Sequence, residues 1–311
     1  MIDPTLTPFL DTWAQKWARV PAGADAAARR AAFEEIAREM RLPTPEGVTC
    51  DEEHTIDSPA GPVRVRVFRP AGAGPHPALI YMHGGAWMQG SPETHWDITA
   101  RLADWAGHVV VSVDYALAPE RPFPAAFDQV RAVALWLHQA APGLRVDPNR
   151  ISIGGDSAGG NLAAAVALNL RGQMAFAGQL LIYPACDFDG SRPSYRENPD
   201  GPIIAVKGME GVNRAYSPDT RLLTSDPRVA PLVADDHSGL APAFIAVAEH
   251  DPLRDSGLAY ADCLTTAGVE VSLDRGPGLI HGYLRAMDYC PASMAALKRM
   301  AAWLANRGPV S

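Results

Sequence analysis

The 311-residue chain sets 35 acidic against 27 basic residues, a formal charge of −8, and is 47% hydrophobic and 20% charged. That is the profile of a globular domain with ample core material, and its acid excess argues against nucleic-acid or anionic-membrane binding, which need clustered Lys and Arg. The four cysteines (Cys50, Cys186, Cys263, Cys290) form no C-x-x-C pair or Cys/His cluster, so neither a zinc site nor a disulfide framework is expected.

At the N-terminus, Asp3 stands where a signal peptide needs basic residues, and no apolar run approaches the roughly 20 residues that span a bilayer. The expected location is the cytoplasm. Residues 1 to 45 read as helical. Leu6, Phe9, Leu10, Trp13 and Trp17 recur at three- and four-residue spacing, and a second stretch, Ala24 to Met40, carries Phe33, Ile36 and Met40 on one stripe. Pro43 and Pro45 end it.

From about residue 50 the period changes. Val63, Val65 and Val67 alternate with Arg64 and Arg66, as in a half-exposed strand. Six apolar runs follow: Ala78–Met82, Val109–Val113, Ile151–Ile153, Gln179–Tyr183, Ala243–Val247 and Val269–Leu273. Helical segments are predicted near 92–106, 125–140, 158–171, 255–267 and 292–306. Short apolar strands alternating with helices imply a parallel sheet covered on both faces. Ligands bind such sheets at the carboxyl ends of the strands. One interval breaks the rhythm: about sixty residues separate Tyr183 from Ala243, with a helix predicted over Val206–Tyr216 and many turn formers. It reads as an insertion folded over the strand ends.

The chemistry collects at those ends. Gly155-Asp156-Ser157-Ala158-Gly159 follows a predicted strand and precedes an Ala-rich helix. A nucleophilic serine needs such a sharp strand-to-helix turn, with glycines giving steric room and a helix N-terminus beneath it. His83-Gly84-Gly85-Ala86-Trp87 follows the Ala78–Met82 run and matches a loop that offers backbone N–H groups to an oxyanion. The expected donors are Gly84, Gly85 and Ala158, and losing one such donor typically costs roughly 3 to 4 kcal/mol. A base and an orienting acid should follow the serine in the order acid, then histidine. Asp251 and His281 satisfy that order at strand ends, with Glu249 and Asp255 as rival acids. His83 is read as an anchor of its loop.

Taken together, these residues resemble the hormone-sensitive lipase-like esterases in their bacterial branch. The matching features also include Asp114-Tyr115, Leu117-Ala118-Pro119-Glu120, Pro122-Phe123-Pro124-Ala125, Asp226-Pro227-Arg228, Asp251-Pro252-Leu253-Arg254-Asp255 and His281-Gly282-Tyr283. The resemblance implies an α/β-hydrolase fold with a mostly parallel eight-stranded sheet. It divides the chain into N-terminal cap helices (1–45), a first part of the core (46–184), a cap insertion (185–240) and the rest of the core (241–311). It implies hydrolysis of short- to medium-chain acyl esters by Ser157, Asp251 and His281, without cofactor or metal. A small-molecule ester is the expected partner, and a homodimer through the last strand is possible on the same ground. Trp87, Met209 and Tyr216 are candidates for lining the substrate pocket. An amidase with the same triad, or a non-catalytic ligand-binding relative, is the alternative.

Three departures from the family pattern stand out. Ala86 occupies the place of a frequent third glycine. Ala116 replaces an arginine common after Asp114-Tyr115. The insertion around Lys207–Tyr216 lacks a tryptophan-rich helix.

Overall fold

The computed structural model describes residues 1–310. Its centre is one sheet of eight strands: β1 (Thr49–Ile56), β2 (Val63–Arg69), β3 (His76–Met82), β4 (Val109–Asp114), β5 (Val146–Asp156), β6 (Gln179–Ile182), β7 (Ala243–Ala246) and β8 (Val271–Asp274). The order is β1-β2-β4-β3-β5-β6-β7-β8. Pairing is antiparallel through β1-β2-β4 and parallel from β4 to β8.

Alternation along each strand divides the core in two. Ala78, Ile80 and Met82 of β3 join Val109, Val111 and Val113 of β4 on one face, with α4 (Ala125–Ala140), α5 (Ala158–Leu170) and α8 (Arg254–Thr266) packed over them. Leu79, Tyr81 and Val110 point the other way, to α3 (Trp96–Ala106) and α9 (Pro291–Ala305). Both faces are buried, which is why these strands read as continuous apolar runs rather than as alternation. Helix α5 is buried almost end to end. On β2, Val63, Val65 and Val67 face the core while Arg64 and Arg66 bind Glu93 on the other side.

The edges depart from expectation. Strand β1 carries Asp51, Glu52, Glu53 and His54 at an exposed edge, so no apolar pattern announces it. The last strand starts at Val271 rather than Val269, because the Val269 N–H turns back to the Leu264 carbonyl (2.9 Å) and closes the end of α8.

Helices α1 (Thr7–Trp17) and α2 (Ala26–Glu39) precede the sheet. Between β6 and β7 lie α6 (Pro193–Glu197), α7 (Val206–Tyr216) and two short 3-10 turns. These pieces are thinly buried. Helix α1 buries Phe9, α2 buries Phe33 and Ile36, and α7 buries Tyr216.

Candidate active site

Strand β5 delivers Ser157 to the sheet's carboxyl edge through a turn that only glycine permits. A Cβ on Gly155 or Gly159 would overlap the Met82 carbonyl. Ser157 itself adopts φ 56°, ψ −117°, a conformation L-residues avoid. Its N–H donates to the Ile182 carbonyl (2.8 Å), so the neighbouring strand holds the turn in place.

The loop after β8 brings His281 onto this serine. His281 Nε2 lies 2.9 Å from Ser157 Oγ, and Nδ1 lies 2.7 Å from Asp251 Oδ2. Asp251 is fully buried, and its other oxygen accepts the Leu253 N–H at 2.8 Å. A carboxylate can only accept, so the imidazole proton sits on Nδ1 and Nε2 is left to take the serine proton. The rival acids are engaged elsewhere. Asp255 accepts from the Ser194 N–H (2.8 Å) and pairs with Arg254, while Glu249 accepts from the Gly278 N–H (2.7 Å).

The loop after β3 corrects one expectation. The Gly84 N–H does not face the cleft: it donates to Asp156 Oδ1 at 2.9 Å, with His95 Nε2 3.2 Å away. A donor already bound to a buried carboxylate is not available to an oxyanion. Among the described residues, the N–H groups of Gly85, Ala86 and Ala158 have no protein partner, and all three residues line the cavity beside Ser157. Gly85 has φ 130°, and a Cβ there would overlap the Gln89 carbonyl. Ala86 adopts the left-handed φ of 57° that a third glycine would take without strain. His83 is buried beneath the loop, its Nδ1 2.9 Å from the Gly84 carbonyl oxygen and its ring stacked on Tyr115 at 4.2 Å. Burial first, and then the neighbouring His95, push the His83 imidazole down to about 3, so it is a neutral prop.

Residues 79–285 match the family described as having the alpha/beta hydrolase fold. The chain belongs to the α/β-hydrolase family, in its hormone-sensitive lipase-like branch. A carboxylesterase of Mycobacterium tuberculosis is 38% identical to it over 315 residues, covering 96% of each chain. The hyperthermophilic esterase of the archaeon Pyrobaculum calidifontis superposes with a TM-score of 0.89 at 37% identity, over 98% of both chains. An ester hydrolase from the Lake Arreo metagenome, solved with a bipyridine phosphonate derivative, gives a TM-score of 0.90 at 36% identity, again over 98% of both.

In this α/β-hydrolase, Ser157 stands where two cavities meet. The larger, about 420 Å³, is walled by Trp87, Phe188, Tyr195, Met209, Val212 and Leu253. The smaller, about 140 Å³, is bounded by Trp13, Phe33, Tyr183, His281, Gly282 and Arg285. Ile203 and Ile204 of the insertion touch both. Of the three expected lining residues, Trp87 and Met209 face the larger cavity. Tyr216 does not: it is 1% exposed and stacks flat behind Trp87 (4.2 Å between centroids, 9° between planes). Its place at the end of α7 turns it toward Phe123, whose N–H its carbonyl accepts at 2.8 Å. Sequence reasoning missed Asp156, His95 and Arg285. Asp156 was visible as the second residue of G-D-S-A-G, whereas no spacing pattern joins the other two to it.

Proposed function

We propose that this carboxylic ester hydrolase acts on short- to medium-chain acyl esters through Ser157, His281 and Asp251. It is a serine carboxylesterase. The observation that supports the residue roles is the hydrogen-bond chain from Ser157 Oγ through His281 to Asp251, set at the junction of the two cavities.

His281 Nε2 takes the serine proton as Oγ attacks the ester carbonyl, and Asp251 keeps the imidazole in that tautomer and stabilises the imidazolium that forms. The carbonyl oxygen, now an oxyanion, is received by the N–H groups of Gly85, Ala86 and Ala158. These donors are in place before reaction, so no reorganisation is needed as charge develops. The imidazolium protonates the leaving alcohol. Water then enters, loses a proton to His281 and releases the acid from the acyl-enzyme by the same route.

Apolar walls and a volume toward the lower end of the range for small-molecule sites favour short and medium chains. The cytoplasmic reading is supported by four cysteines, none of them in a disulfide. The homodimer is checked by light scattering across micromolar concentrations, where a constant monomer mass removes it.

The decisive experiment compares wild type with Ser157→Ala on p-nitrophenyl esters from acetyl to palmitoyl. Turnover should peak at short chains and fall by roughly a million-fold in the variant. Wild-type turnover in Ser157→Ala would remove the site assignment.

A further inference from the structure

Asp156 lies between the glycine and the serine of the turn, yet its carboxylate points away from the triad, into the protein. It is 4% exposed, and Oδ1 accepts both the Gly84 N–H (2.9 Å) and the Tyr81 hydroxyl (2.8 Å). His95 Nε2 is 3.4 Å from the same oxygen. At the same nitrogen, Arg285 Nη2 donates to Nε2 at 2.8 Å, and Nη1 donates to the Thr94 carbonyl at 3.2 Å. The guanidinium lies over the Phe33 ring of α2 at 4.5 Å and touches no carboxylate among the described residues.

The protons on this line can be placed. Arg285 can only donate, so His95 Nε2 must accept and the ring proton sits on Nδ1. Nδ1 then donates to Thr94 Oγ1 (2.9 Å), whose own hydroxyl proton goes to the Ser91 carbonyl (2.9 Å). Burial pushes the His95 imidazole down and keeps it neutral. Burial raises the Asp156 carboxyl, but the Arg285 charge and the hydrogen bond from the Tyr81 hydroxyl oppose it, and the carboxyl lies below its usual range. The result is a cation and an anion meeting at one edge of a neutral ring, where Asp156 Oδ1 (2.9 Å) and His95 Nε2 (3.2 Å) both face the Gly84 N–H, the first peptide of the oxyanion loop.

We propose that Asp156, His95 and Arg285 are positioning residues for the oxyanion hole. By fixing the Gly84 N–H inward, they aim the next two N–H groups, Gly85 and Ala86, at the reacting carbonyl. A Cβ on Gly84 would overlap Asp156 Oδ2, so the loop is seated against the carboxylate with no slack. Loss of that anchor frees the Gly84 peptide to rotate and lets Ala86 leave its left-handed conformation, which takes its N–H out of the hole. This rests on the reading of Gly85, Ala86 and Ala158 as the oxyanion donors.

The test uses Arg285→Met, Arg285→Lys and Asp156→Asn, with kcat, KM and the Ki of an alkyl trifluoromethyl ketone that forms a tetrahedral oxyanion on the serine. Tight binding of the ketone to wild type and none to Ser157→Ala establishes the underlying reading first and separately. Arg285→Met should then lower kcat about 100-fold, within the range for loss of one oxyanion donor. KM should stay within about twofold, and Ki should rise by the same factor as kcat falls. Arg285→Lys should recover part of both, because an ammonium still donates one hydrogen bond to His95. Unchanged kcat and Ki in Arg285→Met overturn the proposal. So does a drop in melting temperature with Ki unchanged, which is what a merely structural role predicts. If Arg285→Met does not fold, Asp156→Asn decides: it keeps the shape, and should lose about tenfold in kcat at constant KM, whereas wild-type kcat sinks the idea.

Discussion

The sheet edge and the helices above it are built in opposite ways. Ser157 and Asp251 hang from β5 and β7, strands buried throughout between Gly154 and Asp156 and between Ala243 and Ala246, while His281 follows the half-exposed edge strand β8 but is itself buried. The larger cavity is closed from above by Ile203, Met209 and Val212, which belong to an insertion that is mostly half-buried or exposed. Chemistry tolerates little displacement, since a misplacement of about 1 Å can cost 100-fold. Recognition of an acyl chain is non-directional and roughly proportional to the apolar area buried. A stiff floor and a lightly packed roof follow from those two demands.

After that of Ser157→Ala, the largest expected effect also lies on the floor. Asp251→Asn keeps the shape but lets the imidazole take the wrong tautomer, and should lower kcat by about 10⁴-fold with KM little changed. Steady-state kinetics on p-nitrophenyl butyrate checks it, and a loss below tenfold would mean that another acid orients His281. Next comes the packing of the serine turn. Gly159→Ala sets a methyl against the Met82 backbone, which has no room to yield, and should cost about 3 kcal/mol. Urea unfolding measures this, and a cost under 1 kcal/mol would show the floor to be more pliant than described.

On the roof the effects should be smaller and selective. Val212→Phe fills part of the larger cavity, and should lower kcat/KM for octanoyl relative to acetyl esters by about tenfold, the scale for a change of a methylene or so in an apolar pocket. A uniform loss across chain lengths would mean that α7 holds the floor rather than shaping the pocket.

The smallest effect concerns neither region but the charge cluster on the outer strands. Burial raises the Glu93 carboxyl, but hydrogen bonds and charge from Arg64, with help from Arg66, outweigh it and hold it at about 2 rather than 4.5. A lowered carboxylate stabilises the fold above pH 4.5 and loses that contribution as pH falls toward 2. After screening at this partly exposed site, Glu93→Gln should cost about 1 kcal/mol at pH 7. Thermal melts from pH 7 to 2.5 should show the variant's deficit shrinking, and a constant deficit would refute the linkage.

Much of this was legible beforehand because it is local. Helix α4 was expected at Ala125–Ala140 and α7 at Val206–Tyr216, and both lie there, since amphipathic spacing and turn residues are properties of a short window. Strand β1 was not legible, because an edge strand with charged residues buries too little to show a period. Gly84 was misread for a different reason. Motif spacing identifies a glycine loop after a strand, but the direction of each N–H depends on which acceptor lies behind it.

Composition, periodicity and the order of Gly155–Gly159, Asp251 and His281 along the chain therefore determined the α/β architecture, the nucleophile turn and the candidates for acid and base. Only the tertiary structure decided that Asp156 takes the Gly84 N–H, that Tyr216 backs Trp87 instead of facing substrate, and that Arg285 reaches His95 from 190 residues away. Local propensity acts over a turn or two of chain, whereas hydrogen-bond partners are chosen by whatever the completed packing brings within about 3 Å.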